Sequence, residues 1–239
     1  MDKFRALLNR VVDEIKADEA VLSVSIIGSG ARKLDALEQV HDIDLFVVKE
    51  TSGGFEREVK VIDGKEFDIS YIDVDDLNKL IIKDNHFWLN ILSKARHLYK
   101  KNSLIEGYFQ LANRLYLNGP TLLSDSEITY MRFKMTKQVE DLQHRLEDAI
   151  PFQYLANVYL PEMLRTYFRL QNTWVPRDKR ILDYLFNADL VLYELVKATY
   201  KATNASEHLR LIDDLVLYIL KPYGGKIHHL ERCKLPIYE

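Results

Sequence analysis

The sequence predicts an α+β protein in two parts, a small mixed-sheet domain over residues 1–100 followed by an all-α helical domain over 101–239. Runs rich in β-branched residues, separated by glycine turns, fill the stretch from Val21 to Ile72, and such side chains pack well on a pleated surface. Past Tyr71 the grammar changes to apolar residues three and four apart, the spacing of one helix face. No internal repeat or low-complexity segment interrupts either part. The expected boundary lies between Leu98 and Leu122.

The first sixteen residues, MDKFRALLNRVVDEIK, read as a charged amphipathic helix and not as a signal peptide. Val21–Ile27 reads as a strand, broken by Gly28-Ser29-Gly30, with a helix expected over Ala31–Leu37. Glycines let a backbone approach an anion closely, the N–H groups at a helix start attract phosphate, and Ser29 adds a hydroxyl donor. GSGARK lacks the third glycine of a dinucleotide fingerprint and the Lys-Ser/Thr that ends a Walker A loop.

The next strand carries Asp42-Ile43-Asp44-Leu45. Strand side chains alternate, so Asp42 and Asp44 share one face while Ile43 and Leu45 point into a core. Two neighbouring carboxylates repel unless something cationic holds them. Mg2+ suits that role, because it takes oxygen ligands and is commonly shared between carboxylates and substrate phosphates. Glu58–Ile62 and Lys65–Ile72 read as two further strands, joined by an Asp63-Gly64 turn that tolerates positive φ. The second places Asp68 between Phe67 and Ile69. If it pairs beside the Asp42/Asp44 strand, three carboxylates converge.

Asp73, with Asp76 three residues on, can cap a helix over Val74–Lys83, and His86–Leu98 and Leu104–Leu117 continue in helical spacing until Asn118-Gly119-Pro120 stops the run. Ser124-Asp-Ser-Glu127 is a capping-box pattern opening a helix over Ile128–Ala149, and Pro151 begins another, which Pro161 should kink. Pro176 suits the first turn of a helix over Arg177–Thr203, and Ser206 opens a last one ending before Pro222.

The arrangement Ile27-Gly28-Ser29, twelve residues, Asp42-Ile43-Asp44, then Phe67-Asp68-Ile69 resembles the nucleotidyltransferase superfamily typified by DNA polymerase β. The resemblance covers about Val21 to Tyr71, and the two-part layout is similar to that of the aminoglycoside and lincosamide nucleotidyltransferases. It implies nucleotidyl transfer, with Asp42, Asp44 and Asp68 as catalytic residues holding two Mg2+ ions and Asp68 also placed to act as general base. It further implies that Gly28 and Ser29 bind the phosphates of a nucleoside triphosphate, with ATP as the expected donor. The acceptor hydroxyl would belong to a small molecule such as an aminoglycoside-like cation. A protein hydroxyl, in an AMP-transferring regulator or an antitoxin-type enzyme, is the alternative, as is a catalytically silent nucleotide-binding module.

In the helical part, Trp174-Val-Pro-Arg177-Asp-Lys179-Arg180 joins an aromatic ring to three cations at a helix start. That combination suits a stacked base and a triphosphate, with Lys179 the candidate nucleotide-binding cation, although a turn with a packed Trp beside a solvated basic helix face is the favoured reading. Lys134, Lys137, Arg165 and Arg169 are further candidates, the last two lying four apart on one helix face. His228, His229 and Cys233 lack metal-site spacing and read as an ordinary tail, and His41 as a structural or rim residue.

Composition bounds the partners. The formal net charge is −3 and no long Lys/Arg block occurs, which disfavours a protein gripping many nucleic-acid phosphates. Residues 1–100 hold fifteen Lys and Arg against nineteen Asp and Glu, so the presumed catalytic part is the acidic one and would draw a cationic acceptor. One cysteine excludes an internal disulfide framework, and no apolar run reaches membrane-spanning length, so a cytoplasmic enzyme is expected. The oligomeric state is not legible.

Overall fold

A computed structural model describes residues 3–51, 53–82 and 86–232. Five strands make one mixed sheet: β1 (Val21–Ile26), β2 (Asp42–Lys49), β3 (Glu56–Ile62), β4 (Lys65–Asp73) and β5 (Arg96–Lys100), in the order β3-β4-β2-β1-β5. Only β2 and β4 run parallel; the other three pairings are antiparallel. The β3–β4 hairpin turns on Asp63 (φ 51°) and Gly64 (φ 77°), the positive angles that its sequence anticipates.

Helices cover both faces. The face carrying Ile26, Ile43, Leu45, Phe67 and Ile69, all fully buried, packs with the apolar stripe of α1 (Lys3–Ile15). On the opposite face, where Phe46, Val48 and Ile72 are buried, α3 (Val74–Ile82) packs on β2 and β4, Trp88 of α4 (His86–Ser93) meets Phe46, and Phe109 of α5 (Leu104–Asn118) meets His97 of β5. Asp73 caps α3, accepting from the Asp76 amide at 2.7 Å; the expected end of that helix, Lys83, lies outside the described residues.

The chain divides into two compact units at Gly119/Pro120. That point is inside the expected window but beyond residue 100, because α5 packs on α3 and α4 and so belongs to the first unit. The second unit is all helix: α6 (Asp125–His144), α7 (Ala149–Leu170), α8 (Asp178–Ala188), α9 (Leu190–Thr199) and α10 (Ala205–Leu220). Its core centres on α10, which touches α6, α7 and α9. The Ser124–Glu127 capping box is present in full.

Four expectations are corrected. The segment after β1 is helical over Gly28–Arg32 (α2) and not over Ala31–Leu37, where a short 3-10 turn, Leu37–Gln39, follows. His86–Leu98 is not one helix, since Arg96–Lys100 leaves it to pair with the free edge of β1. Arg177–Thr203 is interrupted at Asp189, whose carboxylate accepts from the Leu192 amide and starts a new helix there. The last helix is capped by Asn204 and not opened at Ser206.

Candidate functional site

The site begins where β1 leaves the sheet. The Ile27 amide donates to the Asp44 carbonyl at 3.0 Å, after which Gly28 turns the chain at φ 63° into α2. A Cβ at Gly28 would lie 2.1 Å from Asp44 Oδ2, so the Asp44 carboxylate rests directly against a backbone that only glycine provides. Ser29 follows in the first turn of α2, and Arg32 and Lys33 are exposed at its end.

Strand alternation does the rest. Ile43 and Leu45 are fully buried while Asp42 and Asp44 are half-buried on the other face. The parallel register sets Asp44 beside Asp68 and Asp42 beside Glu66, so the three expected acids lie on one face of two adjacent strands, with Glu66 as a fourth. Further along that face, Trp88 of α4 meets Phe46 at a tilt at 5.6 Å, and Phe55 and Phe87 edge-on at 5.7 and 5.2 Å. An aromatic cluster therefore bounds the far end of the carboxylate row.

Arg57 of β3 changes the electrostatics. Its Nε donates to Asp68 Oδ1 at 2.7 Å and its Nη2 to Asp68 Oδ2 at 2.5 Å. The Asp68 hydrogen bonds and charge, with a smaller contribution from the charge of Asp44, raise the guanidinium above its ordinary pKa. Among the described residues no group of three or more His, Cys, Asp or Glu side chains is gathered as a metal site. The donor chemistry nevertheless fits a hard divalent cation. Every candidate ligand is a carboxylate oxygen on one sheet face, the donor type that Mg2+ takes.

The other candidates belong to the second unit. Lys179 is exposed in the first turn of α8. Arg165 holds Asp178 through two contacts of 3.0 Å, and Arg169 donates to the Thr121 carbonyl at 3.1 Å. Both arginines line a cavity of about 480 Å3 with Met131, Val158, Glu162 and Thr166, as their shared helix face suggests. Lys134 is paired with Glu162 at 2.5 Å, Lys137 with Glu140 at 2.6 Å, and Trp174 is half-buried. His228 Nδ1 lies 2.6 Å from Glu140 Oε1, and Cys233 is outside the described residues.

This mixed sheet, with its Gly-Ser corner against an acid-x-acid strand, defines a nucleotidyltransferase-like fold. Among solved structures the chain is similar to a nucleotidyltransferase-like protein from Exiguobacterium sibiricum, with a TM-score of 0.52 and 13% identity, over 92% of this chain and 75% of that one. No protein-family model matches the chain, and no curated protein sequence does.

Proposed function

We propose that this protein is a Mg2+-dependent nucleotidyltransferase that moves a nucleoside monophosphate, AMP from ATP, onto a hydroxyl of a small cationic acceptor. The observation that carries the reading is the parallel pairing of Asp44 with Asp68, with Asp42 on the same face and Asp44 seated against Gly28. In this reading Asp42, Asp44 and Asp68 hold two Mg2+ ions. When bound, these supply charge neutralisation at the acceptor oxygen and at the leaving pyrophosphate.

The chain's own contribution is orientation and charge. The Gly28-Ser29 corner receives the β- and γ-phosphates, where a side chain at Gly28 would collide with Asp44. Asp68, freed of Arg57, accepts the proton of the acceptor hydroxyl, and the row of Asp42, Asp44 and Glu66 favours a cationic acceptor. Positioning and neutralisation supply most of the acceleration in such a site.

The test is pyrophosphate release from ATP and Mg2+ across a panel of aminoglycosides, other small hydroxyl compounds and protein acceptors. Turnover on a small cation that falls at least about a hundredfold in Asp44→Asn supports the reading. Turnover on protein substrates alone reassigns the acceptor. ATP binding without turnover on any acceptor makes the protein a nucleotide-binding module.

A further inference from the structure

Arg57 lies on β3, where the register pairs it with Ser70 and so sets it diagonal to Asp68 on the carboxylate face. Diagonal neighbours are within reach of a long side chain, and a guanidinium fork matches both oxygens of a carboxylate. Here the fork takes both oxygens of Asp68. The two partners are held very differently. The Asp68 side chain is 18% exposed and fixed in an inner strand, whereas Arg57 is 59% exposed on the edge strand of the sheet. An ion pair whose cation is this exposed is screened by solvent, and the arginine side chain can swing away without breaking a ladder hydrogen bond.

We propose that Arg57 is a displaceable counter-ion: it neutralises Asp68 while the site is free of metal, and it must leave Asp68 before a divalent cation can be ligated there. Arg57 thereby sets the metal affinity of the site and keeps a crowded set of carboxylates from repelling one another in the meantime. The proposal rests on the nucleotidyltransferase reading of Asp42, Asp44 and Asp68.

Its consequence has a sign that a merely structural arginine would not share. A brace that preorganises Asp68 as a ligand would, when removed, weaken metal binding. A competitor, when removed, strengthens it, because Asp68 is released and a repelling positive charge is lost together.

The experiment is a Mn2+ titration of the full chain, read by the electron paramagnetic resonance signal of free Mn2+, which needs no substrate and no turnover. Arg57→Gln is expected to bind Mn2+ about three- to tenfold more tightly than the unmodified protein. Arg57→Lys, which keeps the charge but loses the fork, should fall between them, and the gain should vanish when Asp68→Asn is added. Thermal melting of each variant establishes that it is folded, and Arg57→Lys carries the test if Arg57→Gln is not. Unchanged or weaker Mn2+ binding in the Arg57 variants, with the unmodified protein binding Mn2+ and Asp44→Asn losing it, overturns the counter-ion and leaves the parent reading standing. No Mn2+ binding in any folded variant overturns both.

Discussion

Gly28 and Gly30 are two residues apart and would respond differently to the same added methyl group. At Gly28 the φ of 63° is strained for any L side chain, and the new Cβ would stand 2.1 Å from Asp44 Oδ2. At Gly30, where φ is not positive, it would meet Ile26 Cδ1 at 2.6 Å and Cγ1 at 3.0 Å, a buried aliphatic side chain and not the carboxylate. Gly28→Ala should therefore cost about 1–3 kcal/mol of stability and abolish Mn2+ and ATP binding by driving the Asp44 carboxylate out of place. Gly30→Ala should cost less and leave metal binding within about twofold. Calorimetric melting with Mn2+ titration checks both, and equal behaviour of the two variants would refute the close fit of Gly28 to Asp44. That Asp42 and Asp44 share a face was readable because alternation alone fixes it, whereas Asp68 joins that face only through the pairing of β2 with β4. Arg57 was also within reach of the sequence, since a two-residue Asp63-Gly64 turn fixes every cross-strand partner. It was missed because the strand was expected to begin at Glu58; its exposed, charged start at Glu56 and Arg57 carries no core signal.

Elements were legible where local chemistry decides them and illegible where a distant partner does. The Ser124 box and the Asp63-Gly64 hairpin are local, and both are present. Arg96–Lys100 continues the apolar spacing of α4, yet becomes a strand because β1 presents an unpaired edge, against which Ser25 pairs with His97. The break between α8 and α9 lies between these cases. Asp189 is a good N-cap residue, but its carboxylate also accepts from Tyr167 Oη at 2.8 Å and Tyr218 Oη at 2.9 Å, joining α7 and α10 to the start of α9. Asp189→Ala removes the cap and leaves two half-buried tyrosine hydroxyls without their acceptor. A loss of about 2–3 kcal/mol in urea unfolding is expected, with Asp189→Asn recovering part of it through the amide oxygen. A loss no larger than that of Ser124→Ala, about 1 kcal/mol for an isolated cap, would show that the tyrosines contribute nothing.

For the whole molecule, the change of pattern after Tyr71 revealed two parts, but not that helices α3 to α5 close the sheet of the first. Periodicity reports that a helix has an apolar face and is silent on which surface it covers. Among the described residues each unit nevertheless contains a histidine whose pKa is lowered by burial, and this makes a joint prediction. In the first unit, His97 Nδ1 lies 2.9 Å from Ser25 Oγ and its ring meets Phe109 edge-on at 4.5 Å. Burial, then the charge of Lys100, holds its pKa below 6.5, with Glu106 opposing. In the second unit His208 is 8% exposed, meets Phe152 at 5.8 Å, and its Nε2 has no hydrogen-bond partner among the described residues; burial lowers its pKa too. A histidine with a depressed folded pKa binds its proton more readily in the unfolded chain. Its stabilising contribution is thus complete above about pH 6.5 and lost as pH falls from there through the folded pKa. The carboxylates of Asp18, Glu106 and Glu140 are held below their ordinary values by Lys49, Lys100 and Lys137, so their contributions fade only below about pH 4.5. Acid should therefore weaken the protein in two stages. The urea midpoint should be level from about pH 8 to 7, drop as pH falls below about 6.5, and drop further below about 4.5. Replacing His97 and His208 together by Gln should flatten the first descent and leave the second, whereas an undiminished first descent in the double variant would assign it to other groups.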